Sequence, residues 1–251
     1  MLNTEIGMSF IVAANLSHDK NNALKKSMLH TPLFENRTQA GAELARVIQN
    51  VLTQQTTDFG IKPVPIVYAL PRGGIPVAAP IAQLLDCPLT IVVAKKISHP
   101  DNPELAIGAV TAAGDVLWNQ PKVCRWKYTS RWQETALNQA MNQAQELEAY
   151  FSSACPSVHP AGATLILVDD GIATGMTMAV AAITIKKLAP AAVWLCAPVA
   201  PLELVPWLQQ WCDRLIFLET PEFFRSVSNF YTEFPQVETE EALVYLQAAN
   251  K

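Results

Sequence analysis

Val168-Asp169-Asp170-Gly171-Ile172-Ala173-Thr174-Gly175-Met176-Thr177 sets two adjacent carboxylates at the end of an apolar run and follows them with a turn of hydroxyls and glycines. Upstream, Ala163 to Val168 is short, β-branched and apolar, the pattern of a strand buried on both faces of a parallel sheet. Downstream, Thr177 to Leu188 reads as a helix, so the turn lies where a strand ends and a helix begins. Amides in the first turn of a helix lack internal partners and carry partial positive charge. A phosphate seated on Thr174 to Thr177 would meet those amides and two hydroxyls, with Gly175 permitting close backbone approach. The carboxylates repel phosphate, but as acceptors they suit a pair of sugar hydroxyls, with or without a divalent cation. Two other phosphate motifs fail: an Asp-x-Asp phosphatase loop has Gly171 where its second acid belongs, and a P-loop needs a lysine that does not follow Gly175.

The decapeptide resembles the phosphoribosyl pyrophosphate (PRPP) signature of type I phosphoribosyltransferases, and two more segments extend the likeness. Val64 to Leu70 reads as a strand, followed by Pro71-Arg72-Gly73-Gly74 and a helix from about Ile75. Its arginine supplies a cation for a diphosphate and its glycines free the backbone to turn amides toward it. Thr90 to Ala94 reads as a third strand, running into Lys95-Lys96 and the polar loop Ile97-Ser98-His99-Pro100-Asp101-Asn102-Pro103-Glu104. There the resemblance implies a mobile catalytic loop that closes over PRPP. The two lysines fit either diphosphate charge or a solvated strand end, and His99 reads as an exposed loop residue. Glu104 is a candidate to orient a nucleophile or act as a general base.

Residue by residue, the resemblance implies PRPP binding by Arg72, Gly73, Gly74, Asp169, Asp170, Gly171, Ala173, Thr174, Gly175, Met176 and Thr177. It implies catalytic roles for Asp169, Asp170, Lys95, Lys96 and Glu104. Mg²⁺ is the implied cofactor, held by Asp169 and Asp170 indirectly, through ribose hydroxyls or water. A cis peptide between Pro71 and Arg72 belongs to the same pattern. Phe34 to Gly41, Asn102 to Val110 and Thr220 to Phe224 point to a subgroup of phosphoribosyltransferases of unassigned substrate. Where that subgroup usually has an acidic residue before its first arginine, this chain has Asn36, which suits a helix N-cap with Gln39 three residues on.

Alternating strands and helices predict an α/β, doubly wound, mainly parallel sheet with its ligand loops at the carboxyl edge. Two more strands are read over Ala191 to Ala197 and Arg214 to Leu218. The domain reading is an N-terminal extension over 1–33, loosely ordered, a phosphoribosyltransferase-like core over 34–218, and a small C-terminal hood with a last helix over 219–251. Met28 is a second candidate start. Within the core, the helical insertion 119–160 carries Trp132, Ala136, Ala140, Ala144, Leu147 and Phe151 on one face of a helix from about Thr129 to Phe151, suited to a core or dimer contact. The basic residues Arg125, Lys127 and Arg131 precede that face. In the hood, aromatic residues from Phe223 to Phe234 offer a ring to stack on a flat acceptor or simply pack the hood down.

Composition agrees. At 251 residues, half of them hydrophobic and 16% charged, the chain can bury a large core. Its net charge of −4 argues against a nucleic-acid partner. No apolar run reaches the roughly 18 to 20 residues that span a bilayer, so no membrane partner is expected. The five cysteines form no C-x-x-C pair and the four histidines are scattered, which points away from disulfides and zinc and toward a reducing cytoplasm. The expected function is transfer of the 5-phosphoribosyl group of PRPP to a nitrogen nucleophile of unknown identity with release of pyrophosphate. Homodimers are common among the enzymes it resembles. The alternative is a non-catalytic PRPP- or nucleotide-binding regulator on the same fold.

Overall fold

The computed structural model describes residues 9–12, 32–60, 62–99, 102–119 and 130–251. Six strands form a parallel sheet: β1 (Ser9–Val12), β2 (Pro65–Ala69), β3 (Leu89–Ile91), β7 (Thr164–Val168), β8 (Ala192–Val199) and β9 (Arg214–Glu219). Their order across the sheet is β1-β9-β8-β7-β2-β3. The chain therefore runs outward from β2 to β3, returns to the centre at β7, and runs outward the other way through β8 and β9. The reversal falls between β2 and β7, paired from Pro65↔Thr164 to Ala69↔Val168. In open α/β sheets the ligand crevice opens at the carboxyl ends of the two strands where winding reverses. Those ends are Ala69 and Val168, the residues that lead into the two glycine-containing loops. Of the extension expected over 1–33, Ser9–Val12 adds an edge strand along β9.

Period-two alternation divides the core between the two faces of the sheet. Val67, Ala69, Ile166, Val168, Trp194 and Ile216 pack on one face with α1 (Arg37–Phe59), α2 (Gly74–Leu85) and α6 (Thr239–Ala249). Ile66, Tyr68, Leu165, Leu167, Leu195 and Phe217 pack on the other with α4 (Met176–Lys186) and the short α5 (Val205–Leu208). Leu165, Ile166 and Leu167 are completely buried, each contributing about 1.5 to 3 kcal/mol of transfer free energy. This two-faced burial explains why the β7 sequence is apolar without interruption.

Helix α1 opens as the sequence predicts, with Asn36 Oδ1 accepting from the Gln39 amide at 3.0 Å. The reciprocal bond is shifted by one residue, because Gln39 Oε1 accepts from the Glu35 amide at 3.2 Å rather than from that of Asn36. At the other end of the chain, α6 belongs to the helical layer rather than the hood: Ala242 and Leu246 are buried in the cluster shared with α2. Asn250, just beyond it, bonds both the amide and the carbonyl of Leu89 on β3.

The third segment differs most from its sequence reading. The strand expected over Thr90 to Ala94 stops at Ile91, and a second, antiparallel sheet starts at Ala94: β4 (Ala94–His99), β5 (Asn102–Thr111) and β6 (Val116–Trp118). Lys95 and Lys96 thus lie in a hairpin strand rather than ahead of a loop, with irregular register at Ile97/Ser98 and Ser98/His99. His99 is not an exposed loop residue. It is 8% exposed and packs beside Trp132, ring centroids 5.5 Å apart, because α3 (Ser130–Phe151) lies across the hairpin. The apolar face of α3 is a core contact within the chain: Ala140 and Trp132 pack on Ile97 and Ile107, while Ala144 and Phe151 join the main cluster. Arg125 and Lys127, and the side chains of Glu104 and Arg131, lie outside the described residues.

Candidate active site

The loop after β7 and the loop after β2 meet because their strands are hydrogen-bonded neighbours. The Leu70 amide donates to the Val168 carbonyl at 2.9 Å, locking the two exits together. Helix α4 begins at Met176, one residue earlier than its sequence suggests, with Gly175 as N-cap at φ 72°. That is left-handed backbone, which a side chain disfavours, and a Cβ there would also lie 2.7 Å from the Trp207 ring. Gly73 is needed for a different reason: a Cβ on it would collide with the Asp170 carboxylate. The Pro71–Arg72 peptide is cis, as the resemblance implies.

A cavity of about 270 Å³ opens over this junction, lined by Asp169 to Gly175, Thr177, Lys96 and the hood residues Val227 and Phe234. A contiguous space of about 370 Å³ extends past Pro71, Lys95 and Lys96. The structure therefore brings together most of the residues the sequence singles out. Met176 is an exception, its side chain buried in the core while its residue starts α4. Arg72 is another. Its guanidinium faces Glu238 and Thr239 at the start of α6, at 3.4 and 3.3 Å, rather than lining either cavity. The hood aromatics mostly pack on one another and on the core, Phe224 against Phe230 and Tyr231 against Phe34 and Phe234; Phe234 alone among them reaches the cavity.

The acidic pair is asymmetric. Asp170 accepts a charge-assisted bond from Arg37 Nε at 2.7 Å. Arg37 is itself fixed by donation to the Pro235 carbonyl at 2.8 Å and by stacking 3.6 Å above the Phe234 ring centroid. The Tyr231 hydroxyl donates to the Asp170 carbonyl at 2.7 Å. Among the described residues Asp169 makes no salt bridge; its Oδ1 accepts from the Asp170 amide at 2.9 Å. Burial raises both carboxyls above the ordinary carboxylate range. For Asp169 the neighbouring Asp170 charge raises it further, against smaller lowering effects from the Asp170 amide, Lys96 and Arg37. For Asp170 the Arg37 contact opposes the effect of burial. Lys95 is lowered, by burial first and then by the Arg72 charge. The two carboxyls thus differ in their surroundings, Asp170 paired with Arg37 and Asp169 hydrogen-bonded to the Asp170 amide.

Arg37 is the residue that reading the sequence misses. It lies more than 130 positions from the loop it serves, and its only local signal is a polar helix start, where an arginine is ordinarily solvated. At 8% exposure it is one of the few buried charged residues, which marks it in the structure at once.

Among the described residues no group of three or more His, Cys, Asp or Glu side chains is arranged to hold a metal ion. A magnesium ion commonly uses one or two carboxylates and takes its other ligands from water and substrate phosphates. Asp169 and the outer face of Asp170 fit that limited donor role. No helix among the described residues is long and apolar enough to cross a membrane.

Comparison with known proteins agrees with this geometry. Residues 35–231 match the family model described as phosphoribosyl transferase domain. Two curated Mycobacterium tuberculosis proteins from different strains, provisionally named as phosphoribosyl transferases, are each 30% identical over 219 residues. That match covers 87% of this chain and 47% of theirs, so the chain spans about half the length of these relatives. The crystal structure of TT1426 from Thermus thermophilus superposes with a TM-score of 0.67 at 29% identity, covering 87% of this chain and 99% of that one.

Proposed function

The chain belongs to the phosphoribosyl transferase domain family, and on that premise we propose that it transfers the 5-phosphoribosyl group of PRPP to a nitrogen nucleophile and releases pyrophosphate. The observation that carries this reading is the half-buried acidic pair opening directly onto the N-terminus of α4 at the switch point of the sheet, with Lys96 across the same cavity. The 5′-phosphate sits on the amides and hydroxyls of Thr174 to Thr177. The ribose hydroxyls donate to Asp169, with Asp170 behind it braced by Arg37. The leaving diphosphate lies along Pro71 to Gly74, toward Lys95 and Lys96.

In the reaction the bond from ribose C1′ to the diphosphate oxygen breaks, its electron pair leaving with the diphosphate. The acceptor nitrogen forms the new bond to C1′ and loses a proton. Positive charge grows on the sugar as negative charge grows on the leaving group, so fixed charges and exclusion of water account for most of the acceleration. Asp169, ionised by the bound cationic partners, faces the sugar; Lys95 and Lys96 face the diphosphate. Asp169 and Asp170 would hold Mg²⁺ indirectly, through ribose hydroxyls or water, and the ion would supply charge neutralisation at the diphosphate.

A second reading, a PRPP-binding regulator without turnover, draws on one observation: Arg72 is engaged by Glu238 and Thr239 instead of facing the cavity. A screen for pyrophosphate release from PRPP and Mg²⁺ over nucleobases, pyridine carboxylates and simple amines separates the two. Release with one acceptor class is expected. PRPP binding without release across the whole panel is the result that favours the regulator.

A further inference from the structure

Helix α4 offers its first turn to the 5′-phosphate, while β4 brings Lys95 and Lys96 to the diphosphate. The two elements belong to different parts of the fold: α4 packs on the parallel sheet and β4 opens the antiparallel one. They share an apolar cluster, Ala94 and Ala109 of the hairpin with Val180, Ala181 and Ile185 of α4. Apolar burial is non-directional, so it holds the two together without fixing how one sits on the other.

A polar ring does fix it. Thr111 ends β5 and Asp115 lies in the turn to β6, which the Thr111 amide closes on the Asp115 carbonyl at 2.9 Å. From the last turn of α4, Thr184 donates its hydroxyl proton to Asp115 Oδ2 at 2.8 Å, since a charged acceptor wins over the Val180 carbonyl 3.3 Å away. With that proton committed, the 3.0 Å contact between the two threonine hydroxyls runs from Thr111 to Thr184. Thr111 Oγ1 in turn accepts from the Asp115 amide at 3.2 Å, which closes the ring with every bond in one sense, so that each reinforces the next. Thr111 is 1% exposed and the Asp115 side chain 13%, so water competes little. Lys187 takes the other carboxylate oxygen from a mostly exposed position. Burial pushes the Asp115 carboxyl up, but the Lys187 and Thr184 bonds bring it below its ordinary value.

The ring sits at the base of the hairpin that carries the lysines. Thr111 is the register partner of Ala94, the residue before Lys95. Ala112 is tied down beside it, its amide to the Val93 carbonyl at 3.0 Å and its carbonyl to Gln145 of α3 at 3.2 Å. At about 3.3 Å per residue both lysines lie within about 7 Å of this anchored pair, and the register becomes irregular only beyond them, after Ile97. From Met176 to Thr184 the helix rises about 12 Å, so the ring touches neither end of the ligand.

We propose that Asp115 is a positioning residue: through Thr184 and Thr111 it sets the separation between the lysines of β4 and the N-terminus of α4, so that one rigid frame binds both charged ends of PRPP. This rests on the phosphoribosyl-transfer reading. A ligand held at both ends is sensitive to the spacing of its anchors, whereas a ligand held at one end is not.

The test titrates the full chain, with Mg²⁺, with PRPP and with ribose 5-phosphate, which keeps the phosphate and lacks the diphosphate. Asp115→Ala opens the ring and weakens PRPP about tenfold, while ribose 5-phosphate stays within about twofold of wild type. Asp115→Asn keeps an oxygen for Thr184 and gives up only the pairing with an exposed lysine, which is worth little, so PRPP affinity returns close to wild type. Thr184→Val breaks the ring from the helix side and supplies the same comparison if Asp115→Ala does not fold. Partial unfolding lowers both ligands together, so the ratio of the two affinities isolates placement. Undiminished PRPP binding by Asp115→Ala and Thr184→Val overturns the proposal, as does an equal fall for ribose 5-phosphate or an asparagine variant as weak as the alanine one. A wild-type chain that binds neither ligand refutes the phosphoribosyl-transfer reading instead, so the two failures are distinguishable.

Discussion

Replacing Arg37 with Met keeps a long, unbranched side chain on the Phe234 ring but removes the cation that faces Asp170. The structure sets the size of the effect. The lost bond is a charge-assisted contact of 2.7 Å between side chains only 10% and 16% exposed, and a second donor, to the Pro235 carbonyl, disappears with it. Removing one partner of a buried ion pair costs about 3 to 5 kcal/mol, because the remaining charge is left uncompensated. For a chain of this size that corresponds to a melting temperature lower by roughly 6 to 20 °C. The deficit depends on pH in a defined sense. Without Arg37 the native carboxyl of Asp170 rises further above its unfolded value, so the native state binds the extra proton, and stability falls as pH climbs through that window. The Arg37→Met variant is therefore closer to wild type at about pH 4 than at about pH 8. Urea denaturation at both pH values, in a double-mutant cycle with Asp170→Asn, measures the coupling. The double variant is expected to recover at least about 1.5 kcal/mol relative to the sum of the single changes. A loss below about 1 kcal/mol, or strict additivity, refutes the argument that Arg37 holds this carboxylate.

Gly175→Ala places a side chain at φ 72° against Trp207 and is expected to cost about 1 to 2 kcal/mol from the backbone alone, with weaker PRPP binding; equilibrium denaturation and a PRPP titration check both parts. Because burial and Asp170 raise the Asp169 carboxyl, PRPP with Mg²⁺ is expected to bind more tightly as pH rises from the ordinary carboxylate value through the raised one. Binding in that window releases a proton, which calorimetry in buffers of different ionisation enthalpy detects; heats independent of the buffer contradict it. Lys96→Ala, at an exposed strand position, is expected to weaken PRPP binding about tenfold with a melting temperature within a few degrees of wild type, and equal loss of both would assign it a structural role.

What is legible in the sequence is what local physics controls. The apolar run Leu165 to Val168 must be buried on both faces, and Gly175 in a turn that opens a helix marks a close approach of backbone. The first statement needs only near neighbours, and the second rests on the residues that flank the turn. The boundaries of β2, β7 and α4 accordingly fall within about two residues of expectation. The hairpin is not legible: Ala94 to Thr111 alternates weakly, and its polar, proline-containing middle resembles a loop because the partner that covers it, α3, is supplied from elsewhere in the chain. His99 escapes for the same reason, since its burial depends on Trp132. Arg37 and Arg72 show the limit most clearly. Each arginine has its partner more than 130 residues away, Asp170 in one case and Glu238 in the other, and no periodicity in the sequence encodes such a pairing. The structure also sharpens the choice of probe for the acidic pair. Asp170 supports the fold through Arg37, so its replacement perturbs stability and binding together. Asp169 is in no salt bridge among the described residues, so its replacement breaks no ion pair there.

Calorimetric titration of PRPP with Mg²⁺ into the wild-type chain and into Asp169→Asn is therefore the most direct test that the loop after β7 is a PRPP site. Asparagine keeps the size of the side chain and removes a charge that burial disfavours, so the unliganded variant should be at least as stable as wild type. The account predicts saturable binding to wild type and at least about tenfold weaker binding to the variant, the loss expected when a charge-assisted acceptor for a ribose hydroxyl becomes neutral. Equal affinity for the two proteins, with both folded, would contradict it.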